Sequence, residues 1–164
     1  MPEYAYISTI GQDSHRFGEP SGDCTIMLGG VAVPSDRPIL ANSDGDVILH
    51  AITNAISGLT GNIILGGIAD KLCLEEGIKD SSVYLKKALE DLGDSEIVHC
   101  SMTVECLVPK LKPYRDAIRA RVGELLNISA SSVGITATTG EGLTAFGRGE
   151  GIQVFVILSF RKKL

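Results

Sequence analysis

No pair among the four cysteines, Cys24, Cys73, Cys100 and Cys106, has C-x-x-C spacing. That leaves them as buried, reduced thiols of an intracellular protein. No apolar run approaches the ~18 residues that a membrane span needs, so no membrane association is expected. Met1-Pro2-Glu3-Tyr4-Ala5-Tyr6 has neither a basic start nor an apolar stretch of signal-peptide length, and the expected location is cytoplasmic. Positive charge is not in excess: 15 Lys and Arg stand against 20 Asp and Glu, for a formal net charge of −5. Sequence-independent nucleic-acid binding needs a basic surface, so nucleic acid is not an expected partner. A small anion remains compatible, because local Lys, Arg, a metal or backbone N–H groups can hold one. Repeats, low-complexity segments and linkers are also missing. What is present, 164 residues that are 44% hydrophobic and 21% charged, suits one domain over 1–164 with a substantial core.

The pattern of apolar residues predicts a mixed architecture. Tyr4 to Gly11 reads as a strand that delivers Asp13 and His15 at its end. Cys24 to Leu28 and Val31 to Pro34 flank Gly29-Gly30, a hairpin signal. A helix is expected from about Asp44 to Ser57, capped by Ser43 or Asp44 and stopped at Gly58. Gly61 to Gly67 has no clear assignment. Asp80-Ser81-Ser82 caps a second helix, Val83 to Leu92, and Pro113 opens a third that ends near Leu126. Ile97 to Val108 alternates as a strand with one buried side; His99 within it reads as a core or interface histidine. Val133 to Thr138 and Gly151 to Phe160 are further strands, and Arg161-Lys162-Lys163 is a solvated tail. The sum is an α+β sandwich, a mixed sheet with helices on one face, of ferredoxin-like type.

Two stretches carry chemistry. Asp13 and His15 are two apart, so an extended chain sends both side chains to one side. His50 lies near a helix start, with Asp46 at i−4 on the same face, placed to orient it. Two imidazoles and a carboxylate form a three-ligand zinc set, which leaves a fourth position open as catalytic sites do. The competing reading is a capping Asp and two unrelated histidines. The second stretch runs from Thr136 to Gly151. Its glycines let backbone N–H groups approach an anion, Glu141 is a hard ligand for Mg²⁺, and Arg148 suits a phosphate. It is neither a Walker loop nor a Rossmann fingerprint, and a plain glycine-rich loop fits equally well. Pro109-Lys110-Leu111-Lys112-Pro113 is a rigid basic segment. Together these features suggest phosphoryl chemistry on a small diphosphate with two metals.

The sequence resembles the 2-C-methyl-D-erythritol 2,4-cyclodiphosphate synthase family of the non-mevalonate isoprenoid pathway. The matching pieces are Gly11-x-Asp13-x-His15-x-Phe17, Leu28-Gly29-Gly30-Val31, Ser43-Asp44-Gly45-Asp46-Val47-x-x-His50-Ala51, Pro109-Lys110, and Ala137-Thr138-Thr139-x-Glu141-x-Leu143 with Gly147-Arg148-Gly149-Glu150-Gly151-Ile152. They occur in the family's order and span most of the chain. The resemblance implies a phosphorus–oxygen lyase. The 2-phosphate of a cytidine-diphosphate substrate attacks the β-phosphorus, cytidine monophosphate leaves, and a cyclic diphosphate forms without water. It implies Zn²⁺ on Asp13, His15 and His50, and Mg²⁺ or Mn²⁺ at Glu141. Thr139 would steady the transition state, with Thr138 on a neighbouring phosphate. Cys106, Pro109, Lys110, Leu111 and Lys112 would belong to the cytidine pocket, with Arg148 near a central channel. It also implies a homotrimer with active sites between subunits.

Several positions depart from the family pattern. Asn42 stands beside Ser43 where a histidine is usual; an amide can donate a hydrogen bond but carries no charge. Asn54 replaces an aspartate. The usual acidic grip on the polyol is absent at Gly67, within Leu65-Gly66-Gly67-Ile68-Ala69-Asp70, and Asp70 is the expected substitute. The alternatives are a zinc phosphohydrolase or phosphodiesterase of the same fold, and a non-catalytic nucleotide-binding trimer.

Overall fold

The computed structural model describes residues 3–164; Met1 and Pro2, the start of the segment read for a signal peptide, lie outside them. Four strands form the main sheet. They are β1 (Tyr4–Arg16), β4 (Ser95–Glu105), β5 (Val133–Thr138) and β6 (Gly151–Lys163), in the order β1-β6-β4-β5. β6 is antiparallel to both neighbours, and β4 and β5 are parallel. A hairpin of β2 (Cys24–Leu28) and β3 (Val31–Ser35) stands apart from this sheet. Its two glycines take φ of 63° and 74°, the positive pair that a tight type I′ turn demands. The helices are α1 (Val47–Thr60), α2 (Ala69–Glu76), α3 (Ser81–Leu89) and α4 (Arg115–Leu126). In the main sheet the order is β-α-β-α-β-β, whereas the ferredoxin-like unit runs β-α-β-β-α-β. The α+β sandwich of the sequence reading is present; its ferredoxin-like connectivity is not.

One face of the sheet is buried and the other is open. Cys100, Met102, Val104, Val154, Val156 and Leu158 point into the core, while Ile10, Phe155 and Ile157 are exposed. His99 lies on the exposed side rather than in the core. α1 packs against β1 and β6 with nearly its whole first half buried. Gly11 sets the closeness of that packing: a Cβ there would stand 1.9 Å from the Ala51 carbonyl oxygen. Thr9 Oγ1 donates to the Ala55 carbonyl, and the Asn54 amide donates to the Gln12 carbonyl. A carboxylate at position 54 could not make that last bond.

Several boundaries differ from expectation. β1 continues through Asp13 and His15 to Arg16, because it pairs with β6 along its whole length. β6 likewise runs on to Lys163, so the basic tail is a strand, and Arg161 pairs with Glu96. α1 begins later, with Asp46 as its N-cap, and ends at Gly61 rather than Gly58. α2 was not expected; of its residues only Ala69 is buried, so it carries little apolar periodicity. All four cysteines are free thiols, but only Cys100 and Cys106 are buried. Among the described residues no single helix is long and apolar enough to cross a membrane.

Asp46 ties the hairpin to α1. Its buried carboxylate accepts from Gly29 N at 2.8 Å, Gly30 N at 2.7 Å and Leu49 N at 3.0 Å. Asp46→Ala leaves these donors unpaired, and it should lower unfolding free energy by about 2–4 kcal/mol in urea titrations. A loss under about 0.5 kcal/mol would contradict this role.

Candidate metal centre

β1 and α1 bring three lone-pair groups together. Asp13 Oδ2 lies 3.0 Å from His15 Nε2 and 3.0 Å from His50 Nδ1, and the two nitrogens are 3.2 Å apart. A tetrahedral ion with ligands about 2.0–2.1 Å away places them roughly 3.3 Å from each other, so the triangle fits a small divalent cation. Its origin is local. The two-residue spacing on β1 aims Asp13 and His15 at the same side, and the close α1–β1 approach at Gly11 brings His50 to meet them. Among the described residues this is the one His/Cys/Asp/Glu group with ligand atoms so clustered.

Burial alone would push the Asp13 carboxyl up, but hydrogen bonds from His15 and His50 outweigh it and hold the group at about 2. The other nitrogen of His50 is also engaged. Nε2 lies 2.8 Å from Ser81 Oγ and 3.4 Å from Ser43 Oγ. Asp46, expected to orient His50, is instead consumed by the helix cap and the hairpin turn. An N-cap side chain folds back onto its own helix N–H groups, which takes it away from the i+4 position.

A cavity of about 170 Å³ adjoins the triad, lined by His15, Asn42, Ser43, Leu65, Gly66, Asp70, Cys73 and Tyr84 among others. Asp70 thus shares a cavity with the candidate ligand His15, while Gly66 rather than Gly67 lines it. Asn42 is exposed there, and its carbonyl accepts from the Cys73 thiol. Burial raises the Tyr84 hydroxyl, with further contributions from Cys73. A second cavity, of about 400 Å³, is lined by Leu111, Lys112, Arg115, Ile135, Thr136 and Ala137. It shares no lining residue with the first. Nearby, Lys110 Nζ donates to the Leu107 carbonyl and the Cys106 thiol points at the Pro109 carbonyl.

The glycine-rich stretch forms a tight loop. Thr138 Oγ1 accepts from Gly140 N, and Glu141 is exposed at φ 51°. Thr139 lies where Gly147 comes so near that a Cβ would be 2.6 Å from the Thr139 carbonyl oxygen. Glu105, which the sequence did not single out, accepts from the Thr144 hydroxyl and braces this loop. The Arg148 guanidinium is paired with Glu150 at 3.1 Å.

Fold and site together define an α+β protein whose Asp13, His15 and His50 could hold a divalent cation. The family model described as YgbB family matches residues 7–161, and the chain belongs to that family. Curated relatives from Chlamydia muridarum and Chlamydia abortus are 47% and 48% identical over 159 residues. Each alignment covers 96% of this chain and 89% or 90% of the relative, and both are named 2-C-methyl-D-erythritol 2,4-cyclodiphosphate synthase. Among solved structures, the bifunctional IspDF from Campylobacter jejuni matches with a TM-score of 0.87 at 28% identity, over 98% of this chain and 43% of that one. The IspF CDP complex from Plasmodium falciparum matches at 0.81 and 27%, over 97% of each chain.

The lowered Asp13 carboxyl makes a pH prediction for metal-free protein. Its stabilising contribution is complete above the unfolded value of about 4 and is lost as pH falls through about 2. With chelator present, wild-type stability should fall more steeply over that window than that of Asp13→Asn. Parallel acid limbs in chemical denaturation would contradict it.

Proposed function

We propose that the chain catalyses ring closure of 4-diphosphocytidyl-2-C-methyl-D-erythritol 2-phosphate to 2-C-methyl-D-erythritol 2,4-cyclodiphosphate, with release of cytidine monophosphate. It acts as one domain over 1–164, in isoprenoid precursor synthesis. The observation that carries this reading is the triangle of Asp13, His15 and His50, set in a chain 47% identical to a named synthase. The donor set, two imidazoles and one carboxylate, fits Zn²⁺ with one open position. A divalent cation bound there supplies Lewis-acid polarisation of a diphosphate oxygen.

The chain's own residues then position the reacting groups. In water, two phosphates repel each other and lose freedom when aligned, and the protein offsets this with fixed donors and charges. Thr139 would donate toward the transferring phosphoryl group, Thr138 toward its neighbour, and Asn42 and Ser43 toward the same charge from the cavity wall. Glu141 would hold Mg²⁺ or Mn²⁺ through an exposed carboxylate. Asp70 would accept from the polyol hydroxyls, a role its place in the metal cavity supports. Cys106 through Lys112 would enclose cytidine, and a neighbouring structure is a CDP complex. Arg148, already paired with Glu150, would act near the assembly axis.

A homotrimer with active sites between subunits is part of the same reading. Two features support it. The open sheet face carries Ile10 at 64% exposure and Ile157 at 48%, an apolar area that a second copy would cover. The metal cavity and the cavity beside Lys112 share no lining residue on one chain, as expected if a site is assembled from different copies.

Incubation with the cytidine-diphosphate substrate should give cytidine monophosphate and the cyclic product, and a chelator should stop both. A linear product carrying labelled water oxygen would instead mark a phosphohydrolase. Cytidine monophosphate binding without turnover would mark a binding protein. His50→Ala should lower the rate at least ~10²-fold, the scale of one electrostatic contact in a transition state. Asp70→Asn should raise KM; an unaltered KM would remove Asp70 from the polyol site.

A further inference from the structure

We propose that Ser81 and Asp44 form a relay that sets the tautomer and orientation of His50. Ser81 is a positioning residue for the metal site. The inference rests on the metal-centre reading above and adds residues that reading does not use. Ser81 is the first residue of α3 and is fully buried. Its hydroxyl is not needed to cap that helix, because the Asp80 side chain already accepts from Ser82 N. Instead Ser81 Oγ donates to Asp44 Oδ1, and Ser81 N donates to Asp44 Oδ2 at 3.1 Å. Asp44 Oδ1 also accepts from Asp46 N at 3.1 Å.

The donor count along this chain is decisive. A carboxylate only accepts, so the single Ser81 hydroxyl proton is committed to Asp44. The lone pairs of Ser81 Oγ then face His50 Nε2 at 2.8 Å. Two acceptors cannot share that contact, so Nε2 must carry the proton. When a cation takes the lone pair of Nδ1, the nitrogen that points at Asp13 and His15, the one proton left on the ligating imidazole is this Nε2–H. Ser43 Oγ also approaches Nε2, but at 3.4 Å and while accepting from Gly45 N. Outer-shell partners of ligating histidines fix ring orientation in this way, and their removal commonly costs 10–100-fold in metal affinity.

The test uses the full chain, Zn²⁺ alone as the probe, and two variants. Ser81→Ala removes the acceptor at Nε2. Asp44→Asn keeps the shape but offers an amide that can itself donate, so the direction of the relay is no longer fixed. Zinc affinity is read by competition with a chelator well below the melting temperature. The His50 Nε2–H is read separately in zinc-loaded protein by its exchange with solvent in ¹H–¹⁵N spectra. We expect a slowly exchanging Nε2–H in the zinc-loaded wild type, about 10–100-fold weaker zinc binding in Ser81→Ala, and a loss in the same direction in Asp44→Asn. Exchange of that proton should be faster in both. Equal zinc affinity in wild type and variants, or an unchanged Nε2–H exchange rate, would overturn the relay even if the melting temperature fell. That result would make Ser81 and Asp44 a structural tie only. If Ser81→Ala does not fold, Asp44→Asn decides alone. If the wild type itself binds no zinc, the metal reading fails and the relay with it, whereas equal zinc binding by wild type and variants overturns the relay alone.

Discussion

The close approach of α1 to β1 at Gly11 is the constraint on which the site depends. Any side chain there would run into the Ala51 carbonyl. Hydrogen bonds from Thr9 and Asn54 hold the two elements at that separation. At this distance His50 reaches across to the two side chains that β1 presents two residues apart. Close packing in a protein core makes such geometry discrete rather than adjustable. A helix displaced by the width of a methyl group would leave an imidazole and a carboxylate too far apart to share one cation.

The hairpin and the loop before α1 fix the helix from its other end. Asp46 joins the Gly29-Gly30 turn to the first turn of α1, and Asp44 joins the same loop to α3. Burial pushes the Asp46 carboxyl up while the N–H groups of Leu49, Gly30 and Gly29 pull it down. Two acidic residues two positions apart therefore brace different elements, and neither is free to serve as a general ligand. The acidic character of the whole chain fits the same picture. Affinity for a diphosphate must come from localised donors and a bound cation, since the average surface would repel it.

Much of this was legible in the sequence, and the failures have physical causes. The Asp13-x-His15 spacing and the Gly-Gly turn depend on neighbours in the chain, so their geometry followed from extended and hairpin backbone. Asp46 was misplaced because helical spacing puts it on the face of His50, but spacing does not say whether a side chain folds back to cap its own helix. Ser81 could be read only as capping material. Its contact with His50 spans 31 residues, and nothing local announces it. Arg161 to Lys163 are exposed, as read, but charged residues carry little strand signal, and pairing with Tyr4 to Tyr6 makes them strand. α2 escaped notice because a helix that buries little has no apolar period. The departure at Gly67 was visible, and the cavity shows Asp70 and Gly66 as the residues present there.

The central claim is that one cation is gripped by two imidazoles and a carboxylate, leaving room for substrate. Anomalous diffraction at the zinc edge from zinc-loaded crystals tests it most directly. The account predicts a peak about 2.0–2.2 Å from Asp13 Oδ2, His15 Nε2 and His50 Nδ1, with the fourth position not taken by a side chain. A peak elsewhere, or one closed by a fourth side chain, would contradict it.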